Sequence, residues 1–512
     1  MHASLTKVPS NLVGGSWIAL DAGELRSINP ARPSQIVWHG RGEVGHVRQA
    51  VDAARTAFEA FRDVTFERRA ALLRKYAELC KVHAERIAAI ITDETGKTLW
   101  ESRAEAAALA AKVEITLDAG AHSGLSRVSP FSFDLAPTRA GWCVFRPHGV
   151  MAIIGPYNFP AHLPNGHFVP ALAMGNTVVF KPSDKAPGVG QLLGEIMLEA
   201  LEAEGLPPGV FNVVQGGAAV AQALVTHDDI DGILFTGSWP VGRKILEANL
   251  DRPGRIVALE MGGNNPAVVL ADADLKQAAI EIARSAFVTT GQRCTCTRRV
   301  IAHEAIADRL FAGVAKIASN LLVGDPRAEH PVFYGPIISQ ASRQAVLEFQ
   351  SRAARSGSRV WVESSAMSGE GFYVTPSMIE VERFSATDGD DAGCDVEVFG
   401  PLLRVTRCGD LDEAIAQANA TRYGLAASIF TRDQRAAERF VSRARAGCIN
   451  VNTGTAGASS KLPFGGLGLS GNHRPAGSFS LDYCAMPIAQ MIERGDGASL
   501  APGMTFEPSW LG

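Results

Sequence analysis

The sequence predicts an α/β protein with two doubly wound parallel-sheet domains and a small β appendage. Three observations predict it. Short runs rich in β-branched residues alternate with helical stretches from residue 150 to residue 260. A second alternation starts at PAVVL (266–270) and continues past residue 440. The chain also has 512 residues, too many for one hydrophobic core. Strands without polar alternation, separated by helices, are the pattern of a parallel sheet covered on both faces.

Taken in order, residues 1–40 hold strand-like pieces with turns around Gly14 and Trp17 and around Asn29 and Pro30. From Val44, the apolar residues Val47, Val51, Ala54, Phe58 and Phe61 recur at helical spacing. Three more packing helices are expected over about 67–80, 84–95 and 99–119, the last rich in Ala. Residues 125–149 carry Pro and Gly at intervals with strand formers between them, which reads as a hairpin excursion. The first alternation places strands at 150–154, 177–181, 210–214, 232–236 and 256–260, with helices over 169–175, 187–203, 217–226 and 241–250. Right-handed crossovers would bring the strand ends to one edge, where ligands bind. The second alternation places helices over about 274–288, 304–320, 338–355, 411–420 and 432–444, a strand near 298–302, and a loop around Cys294. KLPFGGLGLSG (461–471) returns to Gly-rich turns, and a strand is expected within 478–491. The end, SLAPGMTFEPSWLG, is rich in Pro and Gly and reads as a loosely ordered tail. The expected units are 1–124 with 150–258, then 259–472, then 125–149 with 473–493, and a tail at 494–512.

Composition narrows the function classes. A hydrophobic fraction of 46%, a charged fraction of 20% and a net charge of −4 give no basis for nucleic-acid or membrane-surface binding. The apolar runs are too short for a transmembrane helix. The N-terminus lacks a charged start followed by an apolar core, so no secretory signal is read. Eight Cys without paired spacing point to a reducing compartment, and hence to the cytoplasm. Cys294 and Cys296 form C-x-C, but no second Cys/His cluster accompanies them, so no metal site is expected.

Six stretches could carry chemistry. GQRCTCTRR holds Cys294, and LEMGGNNP holds Glu260, 34 residues upstream. A thiol is reactive only where something lowers its pKa or takes its proton, and a free Cys is more often a small buried hydrophobe. FTGSWPVG (235–242) lies at a strand-to-helix junction, where Gly237 and Gly242 would let backbone approach a phosphate. It is not the G-x-G-x-x-G fingerprint, and a turn glycine alone would explain it. In KPSDKAP (181–187), Lys181 and Asp184 could bind ribose hydroxyls or could merely solvate a loop. GPYNFPAHLPNGH (155–167) offers Asn158, either an amide donor for a developing oxyanion or a turn former. EVFGPLL (397–403) offers Glu397 for a ribose and Phe399 for a flat ring, against a solvated Glu and a core Phe.

Together these motifs resemble the aldehyde dehydrogenase superfamily. The resemblance covers about residues 12–490. It runs through NFP (158–160), KPS (181–183), FTGS (235–238) with Gly242, LEMGG (259–263), GQRC (291–294), EVFGP (397–401), YGL (423–425) and PFGG (463–466). It implies a Rossmann-like NAD-binding domain (1–124 and 150–258), a catalytic domain (259–472) and a β oligomerisation domain (125–149 and 473–493). It also implies roles. Cys294 resembles the nucleophile, Asn158 and the Cys294 N–H the oxyanion hole, and Glu260 the base that hydrolyses the thioester. Lys181 and Asp184 look like adenine-ribose ligands, Gly237, Ser238 and Gly242 like the pyrophosphate turn, and Glu397 with Phe399 like the nicotinamide side. Glu260 favours release of a free acid over transfer to coenzyme A. Asp184 should repel a 2′-phosphate, which favours NAD over NADP. The implied partner is a small-molecule aldehyde, and sheet extension would give a homodimer or homotetramer.

HLPNGH (162–167), GQRCTC, NNP (264–266) and GNHRPAG with DYCAMP (471–487) further resemble one subgroup, whose semialdehyde substrate carries several carboxylates and arises in arginine catabolism. Cationic groups near the mouth are therefore expected. Arg293 and His162 are the candidates, with a structural ion pair as the equal alternative for Arg293. Trp239 and Pro240 depart from the family pattern and would crowd the phosphate turn. Cys296 is read as a bystander. Two rival readings stay open: a dehydrogenase of another semialdehyde or aliphatic aldehyde, and a cysteine hydrolase or acyltransferase that needs no cofactor.

Overall fold

A computed structural model of the chain describes residues 4–389, 391–495 and 498–512. The first sheet has seven strands, in the order Ile256–Glu260, Gly232–Thr236, Val150–Ile154, Thr177–Lys181, Phe211–Val213, Ser10–Val13 and Ser16–Ala19. The first five run parallel, and the N-terminal hairpin adds two antiparallel strands at the edge. Val150–Ile154, Thr177–Lys181 and Gly232–Thr236 are buried at every residue, because helices cover both faces. Successive side chains take opposite sides. Met151 and Ile153 join the core under the helices Phe66–Val82, Leu99–Leu117 and Pro187–Ala203, while Val150, Ala152 and Ile154 join the core under Gly45–Phe61 and Ala218–Thr226.

Register puts the chemistry-bearing stretches on one edge. Thr236 pairs with Glu260, Phe235 with Ile154, and Ile154 with Lys181. The chain order also reverses at Val150–Ile154, with later strands added on either side of it. A strand-order switch opens a crevice at the carboxyl ends of parallel strands.

The second sheet also has seven strands: Arg359–Val362, Ser377–Glu380, Leu402–Cys408, Thr297–His303, Asn265–Val269, Ala426–Phe430 and Cys448–Val451. Only the first pair is antiparallel. The sequence signals only part of this sheet. Leu402–Cys408 carries Arg404 and Thr406, both buried, which obscure a core strand. The Arg404 guanidinium donates to the backbone carbonyls of Ala392, Cys394 and Val396 and to Asn264 Oδ1, so no carboxylate pattern announces it.

The helix expected at 169–175 is observed at His162–Ala173. Pro164 and Gly166 make its start look like a turn. A Pro in the first helical turn costs little, since the N–H there has no intrahelical acceptor.

A third, antiparallel sheet joins Ala485–Glu493, Arg139–Pro147 and Phe131–Ala136. The strand expected within 478–491 therefore starts later, because 478–484 forms turns. The outer strand Phe131–Ala136 is exposed along its whole length. Residues 498–512 are exposed throughout, with one 3₁₀ turn at Pro508–Leu511. Among the described residues no helix is long and apolar enough to cross a membrane.

Candidate active site

A cleft of about 1010 Å³ runs along the carboxyl edge of the first sheet. Asn158, Lys181, Asp184, Gly237, Ser238, Cys294, Glu397 and Phe399 all line it. Eight of the ten sequence-nominated residues thus face one space, although they are spread over some 240 positions. Glu260 and Gly242 lie behind the wall, next to the lining residues Met261, Gly262 and Val241. A second pocket of about 210 Å³ meets the cleft, and the two share Leu163, Thr236 and Cys294. Cys294 is half-buried at that junction.

The turn before Cys294 is strained and firmly held. Thr289, Thr290 and Gly291 take φ of 55°, 56° and 68°. A β-branched residue in the left-handed region costs on the order of 1–2 kcal/mol, so two in a row require support. Thr289 Oγ1 donates to Glu101 Oε1 at 2.6 Å and accepts from Arg293 Nε at 2.7 Å. Thr290 Oγ1 donates to Gly335 O at 3.0 Å. A Cβ on Gly291 would stand 2.1 Å from Gly400 O, so only glycine fits. Past the turn, Asn265 Nδ2 donates to the carbonyls of both Cys294 and Cys296, at 2.7 and 2.8 Å. Arg298 donates to Gly400 O and Arg293 O and lies 5.4 Å from the Phe399 ring, tying this loop to the Glu397 turn.

Burial first, then the Glu260 and Glu397 carboxylates, push the Cys294 thiol well above its ordinary range. Cys294 therefore rests as a thiol and needs a proton acceptor. Cys296 is fully buried, with Sγ pointing at Val288 O across 3.8 Å. Glu260 ends its strand 1% exposed, and neither carboxylate oxygen has a hydrogen-bond partner in the structure. Burial raises its pKa well above the usual carboxylate range, and Arg474 offsets this in part. Such a carboxyl can act as a base once water reaches it. Asn158 Nδ2 donates to Gln292 O at 3.0 Å, which uses one of the two amide hydrogens. Phe159, next in sequence, is flanked by Lys97 at 3.7 Å and Arg293 at 5.0 Å.

The rest of the cleft suits an extended ligand with anionic and hydroxylic parts. Its volume is at the top of the usual range for ligand sites. Lys181 is buried, with Nζ on Pro182 O at 2.7 Å and its pKa lowered to about 8 by burial, while Asp184 is exposed at the rim. Ser238 caps the helix Trp239–Glu247 with no bond from its own side chain. Trp239 and Pro240 both line the cleft beside Gly237 and Ser238, and Trp239 also packs in part on the apolar cluster under the sheet. At the other end, burial pushes Glu397 up to about 6, and Phe399 meets Tyr157 edge-on at 6.2 Å.

Sequence reasoning nominated two of the polar residues around the smaller pocket, Arg293 and His162, and missed the others. Arg293 lines it, but pairs with the buried Glu101 at 3.0 Å. His162 lines it too, held neutral by burial. Lys112, His167 and Thr236 were not nominated, yet all three line the pocket, and His167 Nε2 lies 2.9 Å from Thr236 Oγ1. The one available signal was charged residues at 101, 105 and 112 in an otherwise Ala-rich helix, spaced so as to share a face.

Known proteins resemble this chain along nearly its whole length. The chain is 42% identical over 481 residues to the N-succinylglutamate 5-semialdehyde dehydrogenase of Novosphingobium aromaticivorans, covering 94% of this chain and 98% of that protein. It is 43% identical over 481 residues to N-succinylglutamate 5-semialdehyde dehydrogenase 2 of Caulobacter vibrioides, covering 93% and 95%. Among solved structures, an NAD-dependent aldehyde dehydrogenase from Sinorhizobium meliloti superposes with a TM-score of 0.88 at 30% identity, covering 96% of each chain. A 1-pyrroline-5-carboxylate dehydrogenase from Thermus with bound NAD gives 0.85 at 29% identity, covering 95% of this chain and 93% of that one. Residues 17–486 match the model of the aldehyde dehydrogenase family. With that match across nearly the whole chain and a thiol set between two cavities, the chain belongs to the aldehyde dehydrogenase family.

Proposed function

We propose that this enzyme oxidises N-succinylglutamate 5-semialdehyde to N-succinylglutamate with NAD, a step of arginine catabolism. The observation that carries the reading is the position of Cys294, shared by a cleft of dinucleotide proportions and a smaller pocket. Relatives of that name at about 42% identity support the substrate.

The Cys294 thiol passes its proton through cleft water to solvent, the thiolate sulfur attacks the aldehyde carbon, and the carbonyl π pair moves to oxygen. The free Asn158 amide hydrogen and the Cys294 N–H stabilise that oxyanion. When bound in the large cleft, NAD would supply a hydride acceptor; as the oxyanion electrons re-form the carbonyl, the C–H pair leaves as hydride and Cys294 carries the thioester. Glu260 takes a proton from water, the hydroxide adds to the thioester carbon, and the C–S bond breaks to release the acid and restore the thiol. Lys181 and Asp184 hold the adenine ribose, Gly237, Ser238 and Gly242 shape the pyrophosphate turn, and Glu397 with Phe399 positions the nicotinamide side. Gly237 keeps the turn close, since a Cβ there would stand 2.4 Å from the Phe235 ring.

The outer strand of the third sheet supports a homodimer or homotetramer formed by sheet extension. It exposes Phe131, Phe133 and Leu135 on an edge with no further strand among the described residues. Eight free thiols suit a cytoplasmic protein. The deciding experiment is NAD reduction against a panel of semialdehydes. The proposal predicts the highest kcat/KM for N-succinylglutamate 5-semialdehyde, and a higher value for any unrelated aldehyde overturns it.

A further inference from the structure

Three cations meet the inward face of the helix Leu99–Leu117, and the helix has carboxylates for two of them. Glu101 takes Arg293 at 3.0 Å, and Glu105 takes Lys97 at 2.6 Å. Lys112 lies seven residues beyond Glu105, on the same face. It is just as buried, at 3% exposure, but its Nζ donates only to neutral oxygens: Gly477 O and Ser480 Oγ, each at 2.8 Å. Burial lowers its pKa to about 8, with the Cys484 thiol acting in the opposite direction. Near neutral pH it is therefore an ammonium with no carboxylate partner among the described residues. A buried charge without an opposite charge costs several kcal/mol, a cost that an arriving anion removes.

The surroundings are those of an anion site. Lys112 lines the pocket that holds Cys294, together with His162 and His167. An ammonium has three hydrogens, and two are engaged. The Nδ1 atoms of His162 and His167 are buried with no hydrogen-bond partner among the described residues. Both rings are neutral, held there by burial and by Lys112 itself, with His167 lowered to about 3. Glu105, the carboxylate that acts on His162, already accepts from Lys97 and from the backbone N–H groups of Ala161 and His162. Gly166, between the two histidines, leaves room, because a Cβ there would meet nothing within 4 Å.

We infer that Lys112, with the Nδ1 edges of His162 and His167 beside it, receives a carboxylate of the aldehyde substrate, and that Lys112 rather than Arg293 sets the preference for an anionic aldehyde. The inference rests on the proposed reading of the small pocket as the aldehyde site and names the group there that reads substrate charge. N-succinylglutamate 5-semialdehyde has two carboxylates, on the α-carbon and on the succinyl group, and the same ammonium chemistry serves either.

The test is steady-state kinetics of the wild-type enzyme and Lys112→Met on four aldehydes. They are N-succinylglutamate 5-semialdehyde, its α-amide, the N-acetyl analogue that lacks the succinyl carboxylate, and hexanal. In the wild type, kcat/KM should fall at least tenfold on loss of the recognised carboxylate, and the analogue that shows the fall identifies it. In Lys112→Met, KM for the parent substrate should rise at least tenfold and that discrimination should vanish, while KM for NAD and turnover of hexanal stay within about twofold. An equal loss on hexanal makes Lys112 a structural staple to Gly477 and Ser480 and overturns the inference, as does retained discrimination. Lys112→Gln, which removes the charge but keeps a donor, replaces the methionine variant if that one does not fold. A wild type with no preference for charged aldehydes overturns the substrate reading itself. A charge-selective wild type with an unmoved variant overturns only the role of Lys112.

Discussion

Glu397 occupies the space that a side chain on Gly262 would need. A Cβ built on Gly262 stands 1.8 Å from Glu397 Oε2, and the next residue, Gly263, donates its N–H to Oε1 at 3.1 Å. The two glycines of LEMGG thus serve a carboxylate more than 130 residues away, across the junction of the two large sheets. Gly262→Ala should displace Glu397 without disturbing the Cys294 loop. The expected outcome is about a tenfold rise in KM for NAD with kcat changed less than threefold. An unchanged KM for NAD would detach Glu397 from cofactor binding.

Glu397 also gives that binding a pH dependence. Burial pushes its pKa to about 6, from an ordinary 4.5. Above that value the group is a carboxylate and accepts hydroxyl hydrogen bonds strongly, and below it the group is largely protonated and accepts weakly. NAD affinity should therefore fall several-fold between pH 7.5 and pH 5. Glu397→Gln should bind weakly at both and show a flat profile. Titration calorimetry at the two pH values measures this, and an equally steep profile in the variant would exclude Glu397 as its source.

Cys294 and Cys296 separate by environment as well as by position. Cys294→Ala should abolish both NADH formation and the covalent thioester seen by mass spectrometry. Cys296 packs in the core, so Cys296→Ala should cost about 1–2 kcal/mol of stability for the cavity and leave substantial turnover. Activity in Cys294→Ala would remove it as nucleophile.

The first sheet was legible because its strands are nearly pure core: VMAII, TVVFK and GILFT carry polar residues only at their ends, Thr177, Lys181 and Thr236. The second sheet was less so. Its buried arginines, Arg298, Arg299 and Arg404, donate to backbone carbonyls outside their own strands, such as Gly400 for Arg298 and Asn264, Gln417 and Ala418 for Arg299, and no charge pattern announces such partners. The site divides in the same way. Cys294, Asn158 and Glu397 sit in short motifs whose residue types suit their chemistry. Lys112 has no motif at all. Its meaning comes from a subtraction, two carboxylates for three cations, which exists only once Arg293 and Lys97 have folded onto the same helix.

That helix also holds the strained turn. Glu101 accepts from Thr289, Thr98 and Arg293. Glu101→Ala leaves the partly buried Arg293 unpaired and Thr289 without its acceptor. A loss of about 2–4 kcal/mol is expected, below the full cost of a broken buried pair because Arg293 is partly solvated. Relaxation of Thr289 would shift Cys294, so kcat should fall at least tenfold while KM for NAD stays near wild type. Urea denaturation and initial rates measure the two effects. A destabilised variant with unimpaired kcat would show that the turn keeps its shape without Glu101.

Glu260 couples catalysis to stability with a definite sign. Its folded pKa is raised by burial, so the folded state binds a proton that the unfolded state releases near pH 4.5. The stability from that bound proton is complete below 4.5 and is lost as pH rises through the folded pKa. Glu260→Gln carries no such proton, so its Tm advantage over wild type should be small at pH 5 and grow toward pH 8. The same variant lacks the base for thioester hydrolysis. It should give one equivalent of NADH per active site and then stall, with acylated Cys294 accumulating. Steady turnover at the wild-type rate would dismiss Glu260 as the base. A Tm difference that shrinks with rising pH would contradict the unpaired, buried carboxyl seen at the end of its strand.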